Sequence, residues 1–388
     1  MITSYAVLLL LASGQLGGSP TGGLTPAPTV SGPTWAGLAD SIGARLQALA
    51  DSVVKARPRL PGLLIFVESD RLGRQWTIAS GRSDTARGVA LKPDQPLRVA
   101  SNTKTYVAAG ILRLMEKGVL QLSDPVARHL PDELRRLLER DGYQTERITI
   151  EQVLSHRAGL DEHPAVPSYV TRMLTDPRKR WTRLEQLTWL VDSLSPIGQP
   201  GERFKYSDTG YILLGAILER HTGKTLAAAV RELLAFERLG LSRTWFETLE
   251  PEPPGVAERV HQYMNGVDTF GHDPSFDLYG GGGIAAPIAE LGGFITALVG
   301  GRVFERAATL DTMLAARSPE MNGYGLGVYR FNAGGRQGVG HGGFWGTMAA
   351  RFRAEGVTVA VAVTEQSQGG GLNGIAAAVL RVVVRESP

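Results

Sequence analysis

Runs with strand character lie near both ends of this chain, and the long stretch between them has a different period. Residues 62–68 (GLLIFVE) and 75–80 read as two strands joined near Arg71 to Arg74. Far downstream, residues 324–331, 347–354 and 357–364 read as successive strands. A lone hairpin is marginal in water, so strands at both ends call for one shared sheet. The intervening residues, about 120–300, read as mainly helical and loop-rich, with helices over 149–154 and 208–223. Residues 35–57 carry Leu38, Ile42, Leu46, Leu49 and Val53 at helical spacing, 101–118 form another helix, and 372–385 a closing one. The expected fold is α/β: a mixed, largely antiparallel sheet flanked by helices, with an inserted mainly helical region over about 120–300. Residues 35–388 form the folded domain, with no internal repeat.

The chain can fill such a core, being 388 residues long with 43% hydrophobic and 20% charged residues. A net charge of +3, with no basic block interleaved with aromatics, argues against nucleic acid as partner. Cysteine is absent, which excludes disulfides, thiolate metal sites and a cysteine nucleophile. Residues 5–12 (YAVLLLLA) are apolar but far short of the roughly 20 residues of a membrane span. They suit the core of a signal peptide, although no Lys or Arg precedes them, and Ala12 and Gly14 predict cleavage before Gln15. Residues 1–14 are therefore expected to be a signal peptide and 15–34, rich in Gly, Pro and Ser, a linker. The expected location is secreted or periplasmic, with no stable membrane span.

Three constellations carry chemistry. Ser101-Asn102-Thr103-Lys104 opens a helix, so the lysine amine lies one turn from the serine hydroxyl and can reach it. The pattern alone is weak, because Ser52-Val53-Val54-Lys55 matches too, inside an amphipathic helix with no strand before it. In Phe204-Lys205-Tyr206-Ser207-Asp208, a tyrosine among small polar residues can bring a phenol into a pocket, where a nearby ammonium lowers its pKa. Taken alone, Tyr206 is more often a half-buried packing residue. Gly340-His341-Gly342-Gly343-Phe344-Trp345-Gly346 starts a strand whose glycines permit close backbone approach by substrate; a Gly-rich hairpin is the plainer reading.

The order and spacing of these motifs resemble the penicillin-recognising serine hydrolases, in the branch with class C β-lactamases, D-alanyl-D-alanine carboxypeptidases and related esterases. The stretches TIEQVLSHRAGL (149–160), PGERFKYSDTGY (200–211), GGGGIAAPIAEL (280–291) and YGLGV (324–328) are similar to the same family. The resemblance implies a β-lactamase/transpeptidase-like fold, Ser101 as nucleophile, and Lys104 and Tyr206 sharing the proton work with Tyr206 the favoured base. It puts His341 near Tyr206 and the substrate, and makes the oxyanion hole from the backbone N–H groups of Ser101 and Phe344, beside Gly342 and Gly343. No metal and no organic cofactor is implied.

Two departures bear on substrate. Asp208 stands where the family usually has Asn, and an ionised carboxylate can only accept, so it should pair with Lys104. Gly342 stands where carboxypeptidases and β-lactamases often have a hydroxyl. Arg330 would be the compensating carboxylate anchor, but strand alternation leaves open whether Tyr329 or Arg330 faces the site. His156, Asp161, Glu162 and His163 could suggest a metal, though family-like packing is the better reading. G-x-S-x-G is absent, against an α/β-hydrolase. The expected activity is cleavage of a small ester, amide or peptide substrate, with β-lactams and cell-wall peptides among the candidates. Small activated esters should lead, in a pocket walled by Phe344 and Trp345. The alternatives are a non-catalytic penicillin-binding sensor or scaffold, and an acyltransferase using the same acyl-enzyme.

Overall fold

The computed structural model describes residues 35–385. The expected signal peptide and linker lie outside them. Seven strands form the main sheet: β1 (Gly62–Ser69), β2 (Arg74–Asp84), β3 (Val89–Ala90), β4 (Tyr329–Ala333), β5 (Arg336–Gly343), β6 (Thr347–Phe352) and β7 (Val357–Val363). Their order is β3-β2-β1-β7-β6-β5-β4, and every neighbouring pair is antiparallel. The sheet is thus antiparallel throughout rather than mixed. Strands from the two ends of the chain meet at its centre, Leu63 opposite Val363 and Ser69 opposite Val357.

Alternation sorts the two faces of the sheet. Leu63, Ile65 and Val67, with Val359, Val361 and Val363, face Ile42, Leu46 and Ala50 of α1 (Trp35–Ala56) and the last helix, Leu372–Arg385. Leu64 and Phe66, with Ala360 and Ala362, face the larger core shared with the helical region. That core includes α2 (Thr103–Glu116), buried along nearly its whole length, and α3 (Asp208–Thr222). Polar termini hold these helices in place. Ser207 caps α3 by accepting from the Gly210 N–H, and Thr149 with Gln152 forms a capping box before Ile150–Leu154.

Three details differ from the sequence reading. Helix α2 begins at Thr103, because Ala100–Asn102 form a tight 3₁₀ turn. Residues 324–328 are not strand: Gly327 is left-handed (φ 73°), and its carbonyl accepts from Thr105 of α2. The Gly-rich strand β5 pairs with β4 through a turn in which Gly334 and Gly335 are both left-handed. A three-stranded sheet (Pro96–Arg98, Ile284–Pro287 and Trp245–Phe246) and a ribbon of Tyr263–Met264 with Val267–Asp268 were too short to show a period.

Candidate active site

The nucleophile candidate sits where the short strand Pro96–Arg98 turns into α2. Ala100, just before Ser101, takes a left-handed conformation (φ 48°) that non-glycine residues rarely adopt. The turn is pinned from within. The Asn102 amide donates to the Val99 carbonyl at 2.8 Å and to Thr347 Oγ1 at 2.9 Å, tying Ser101 to the start of β6. Ser52, by contrast, is exposed on α1.

Lys104 is wholly buried one turn on. Its Nζ contacts Ser101 Oγ at 2.8 Å and the Gly281 carbonyl at 2.7 Å, and forms an ion pair with Asp208. Asp208 thus takes the role expected from its replacement of Asn. Burial alone would raise its carboxyl, but the charge and hydrogen bond of Lys104 overcome that and hold it below the ordinary value. Tyr206 lines the same cavity as Ser101, and Lys104 Nζ lies 5.0 Å from its ring centre. Contrary to the sequence expectation, the phenol is pushed well above its usual value, first by burial and then by Asp208. The ammonium does not make it acidic.

Ser101 opens on two cavities. One, of about 510 Å³, is lined by Tyr206, Tyr329, Phe344, Met321 and Leu372 among others. The second, of about 310 Å³, has apolar walls from Tyr169, Val170, Met173, Phe276 and Phe344. Glu162 borders both and Asp277 borders the second. Burial, and then the charge of Asp208, pushes the carboxyl of each up to about 7. Among the described residues lining these cavities, none is Arg or Lys.

Alternation along β4 resolves in favour of Tyr329. Arg330 turns to the other side, donates to the Gly323 and Leu314 carbonyls and lines a separate surface hollow, so it is no anchor for a substrate in the Ser101 cavities. The Tyr329 phenol lies over the Gly342 backbone, where a Cβ would be 2.6 Å from its oxygen. Position 342, where the family often carries a hydroxyl, is therefore served by a phenol reaching across from β4.

Gly343 permits another close approach. A Cβ there would lie 2.2 Å from the Val99 carbonyl and 2.4 Å from Thr347 Oγ1. The glycine that the sequence reserved for substrate lets β5 press on the serine turn instead. Phe344 is half exposed at the cavity mouth, whereas Trp345 is buried beneath it against Phe276 and forms no wall of the two cavities.

His341 is buried, and both ring nitrogens are engaged within the protein: Nδ1 is 2.6 Å from the Gly342 carbonyl and Nε2 is 3.3 Å from the Tyr324 phenol. Burial, and then the charge of Lys104, lowers it to about 3, so the ring is neutral. His156 is equally committed, meeting Tyr324 and the Ser207 N–H, whereas His163 meets Thr209 through Nδ1 and its buried Nε2 has no partner among the described residues. Sequence reasoning missed Tyr324 and Asp277, left Tyr329 as one of two candidates, and set Glu162 and His156 aside as packing. Tyr324 and His156 had a further signal, since each lies in a family-like stretch.

A terminal-strand antiparallel sheet, with a cavity-facing serine paired to a buried lysine at its junction with a helical region, defines the fold of penicillin-recognising serine enzymes. The chain belongs to the beta-lactamase family, whose model matches residues 50–383. It is similar to the esterase EstB of Burkholderia gladioli, 35% identical over 222 residues, which are 55% of this chain and 54% of that protein. The flp protein of Staphylococcus aureus is 33% identical over 142 residues, 37% of this chain and 26% of that protein. The chain thus aligns with about half of the esterase and about a quarter of flp. Among solved structures, D-amino acid amidase from Ochrobactrum anthropi SV3, complexed with L-phenylalanine amide, shares the fold. Its TM-score is 0.76 at 23% identity, over 90% of this chain and all of that one.

Proposed function

We propose that this protein hydrolyses carboxylic esters or amides through an acyl-enzyme on Ser101. The observation that carries this reading is the buried Lys104 amine 2.8 Å from Ser101 Oγ, with Tyr206 lining the same cavity. Ser101 Oγ bonds to the acyl carbon as its proton passes into the set formed by Tyr206 and Lys104. Collapse of the tetrahedral intermediate breaks the bond to the leaving oxygen or nitrogen, which takes that proton from Tyr206. Water then repeats the sequence on the acyl-enzyme. The backbone N–H groups of Ser101 and Phe344 receive the oxyanion. Because burial and Asp208 hold the phenol protonated, its basic form is populated only towards alkaline pH.

Charge narrows the substrate. Asp208, Glu162 and Asp277 surround the approach to Ser101, Lys104 is sealed behind it, and Arg330 faces away. A carboxylate-bearing substrate would meet no cationic anchor, and like charge once Glu162 and Asp277 ionise above about pH 7. The apolar walls suit an uncharged or amine-bearing acyl group with a hydrophobic body, as in simple esters and amides. Fluorophosphonate labelling with p-nitrophenyl acetate turnover tests the assignment. Ser101→Ala should abolish both, Ser52→Ala should change neither, and labelling that survives Ser101→Ala would refute it.

A further inference from the structure

Four side-chain contacts beneath Tyr206 form one continuous path. The Ser207 N–H lies 3.1 Å from His156 Nδ1, His156 Nε2 lies 2.9 Å from the Tyr324 oxygen, that oxygen lies 3.3 Å from His341 Nε2, and His341 Nδ1 lies 2.6 Å from the Gly342 carbonyl. The two ends of this path are backbone groups, and each can play only one part. An N–H only donates and a carbonyl only accepts.

Those ends fix every proton between them. His156 Nδ1 accepts from Ser207, so the neutral ring carries its proton on Nε2 and donates to Tyr324. At the far end His341 Nδ1 must carry the proton it gives to Gly342, which leaves Nε2 as a bare acceptor. With His156 donating to it, the Tyr324 hydroxyl has one proton and one remaining hydrogen-bond neighbour that can take it, His341 Nε2. The Tyr211 hydroxyl donates elsewhere, to the Leu154 carbonyl. Only donation to His341 avoids leaving a buried imidazole nitrogen unpaired, which costs about 1–3 kcal/mol.

We infer that His156 and Tyr324 are positioning residues that lock His341 in the Nδ1–H tautomer and so join the Tyr206 loop to the substrate-facing edge of β5. His156 holds the loop twice. Its ring lies under Tyr206 with centres 4.3 Å apart, and its carbonyl accepts from the Lys205 N–H. His341 fixes the Gly342 carbonyl while the Tyr329 phenol packs over Gly342, which sets the peptide that leads to Gly343 and Phe344. The charged groups acting on His341 are Lys104 and Asp208; on His156 they are Lys104 and, if protonated, His341. Lys104 disfavours a second proton on either ring. His341 is then no proton donor to substrate, because neither nitrogen is free to face it.

The inference rests on the hydrolase reading for its kinetic consequence, but its primary test does not. Long-range 1H–15N spectra of histidine-labelled whole protein read each tautomer directly, with His156→Gln and His341→Gln supplying the assignments. His156 should show the Nε2–H form and His341 the Nδ1–H form, both unchanged from pH 8 to pH 5. Tyr324→Phe keeps the ring but removes the hydroxyl. It should mix the tautomers of His341 and lower kcat for p-nitrophenyl acetate by about 10- to 100-fold, with KM within about twofold. His341 protonated on Nε2 in the wild type would overturn the inference even if the variant failed to fold. So would a Tyr324→Phe protein with both tautomer and kcat intact. An inactive wild type with the expected tautomers would instead count against the hydrolase reading alone.

Discussion

Asp208 ties together two groups whose protons matter most. It forms an ion pair with Lys104, and its charge opposes ionisation of the Tyr206 phenol. That charge delays the basic form of the phenol to higher pH. Asp208→Asn should therefore move the rising limb of kcat/KM for a neutral ester to lower pH. The Asn carbonyl can still accept from Lys104, so the fold should persist. A limb that stays in place in a pH–rate profile would show that Asp208 does not control the base. Ser101, Lys104, Tyr206 and Asp208 were legible because motif order and spacing single them out. Glu162 and Asp277 were not, since their raised carboxyls arise from burial beside Asp208 and no local pattern encodes that neighbour. Tyr329 was half legible: alternation narrowed the choice to two residues, and only packing could decide between them.

Strand β5 shows how an element's sequence can mislead about its purpose. Its glycines weaken the strand signal, yet it pairs along both edges and brings His341 and Gly343 to the serine turn. The long apolar strands β1 and β7 and the amphipathic α1 were readable, because their periods repeat over many residues. The short strands around Ile284–Pro287 had too few residues to repeat anything. The close approach at Gly343 leads to a specific expectation. A methyl there meets the Val99 carbonyl and Thr347 Oγ1, both well inside contact distance and neither at the end of a flexible chain. Gly343→Ala should push β5 from the Ser101 turn, lowering kcat/KM by at least about tenfold and stability by about 1–3 kcal/mol. Gly293→Ala, on the helix Ile288–Val299 with nothing within 4 Å of the new methyl, should leave activity unchanged. Equal behaviour of the two variants in ester assays and thermal melts would contradict the proposed role of Gly343.

Across the whole molecule, buried titratable groups of opposite kind oppose each other in acid. Burial is the first cause lowering His156, His163 and His341, the last two to about 4 and 3. A group whose folded pKa is depressed gives stability that is full above its unfolded value, here about 6.5, and is lost as pH falls towards the folded one. Three such rings would cost about 4 kcal/mol per pH unit below 6.5. Glu162 and Asp277 act in the other direction. Raised to about 7, they give stability that is full below their ordinary values near 4 and lost as pH rises through 7. Between about 6.5 and 4.5 acidification therefore gains about 3 kcal/mol per unit from the carboxyls, leaving a net loss of about 1 kcal/mol per unit. Below about 4.5 the carboxyls are protonated in both states and their offset ends. Ion-paired carboxylates such as Asp208, held low in the fold, then add to the histidine loss. The melting temperature should decline gently from pH 7 to about 4.5 and steeply below it. In the Glu162→Gln, Asp277→Asn double variant the steep decline should begin near pH 6.5, because the offsetting protons are gone. Calorimetry of both proteins across that range checks the balance, and parallel curves would show that the two carboxyls are ionised in the folded state.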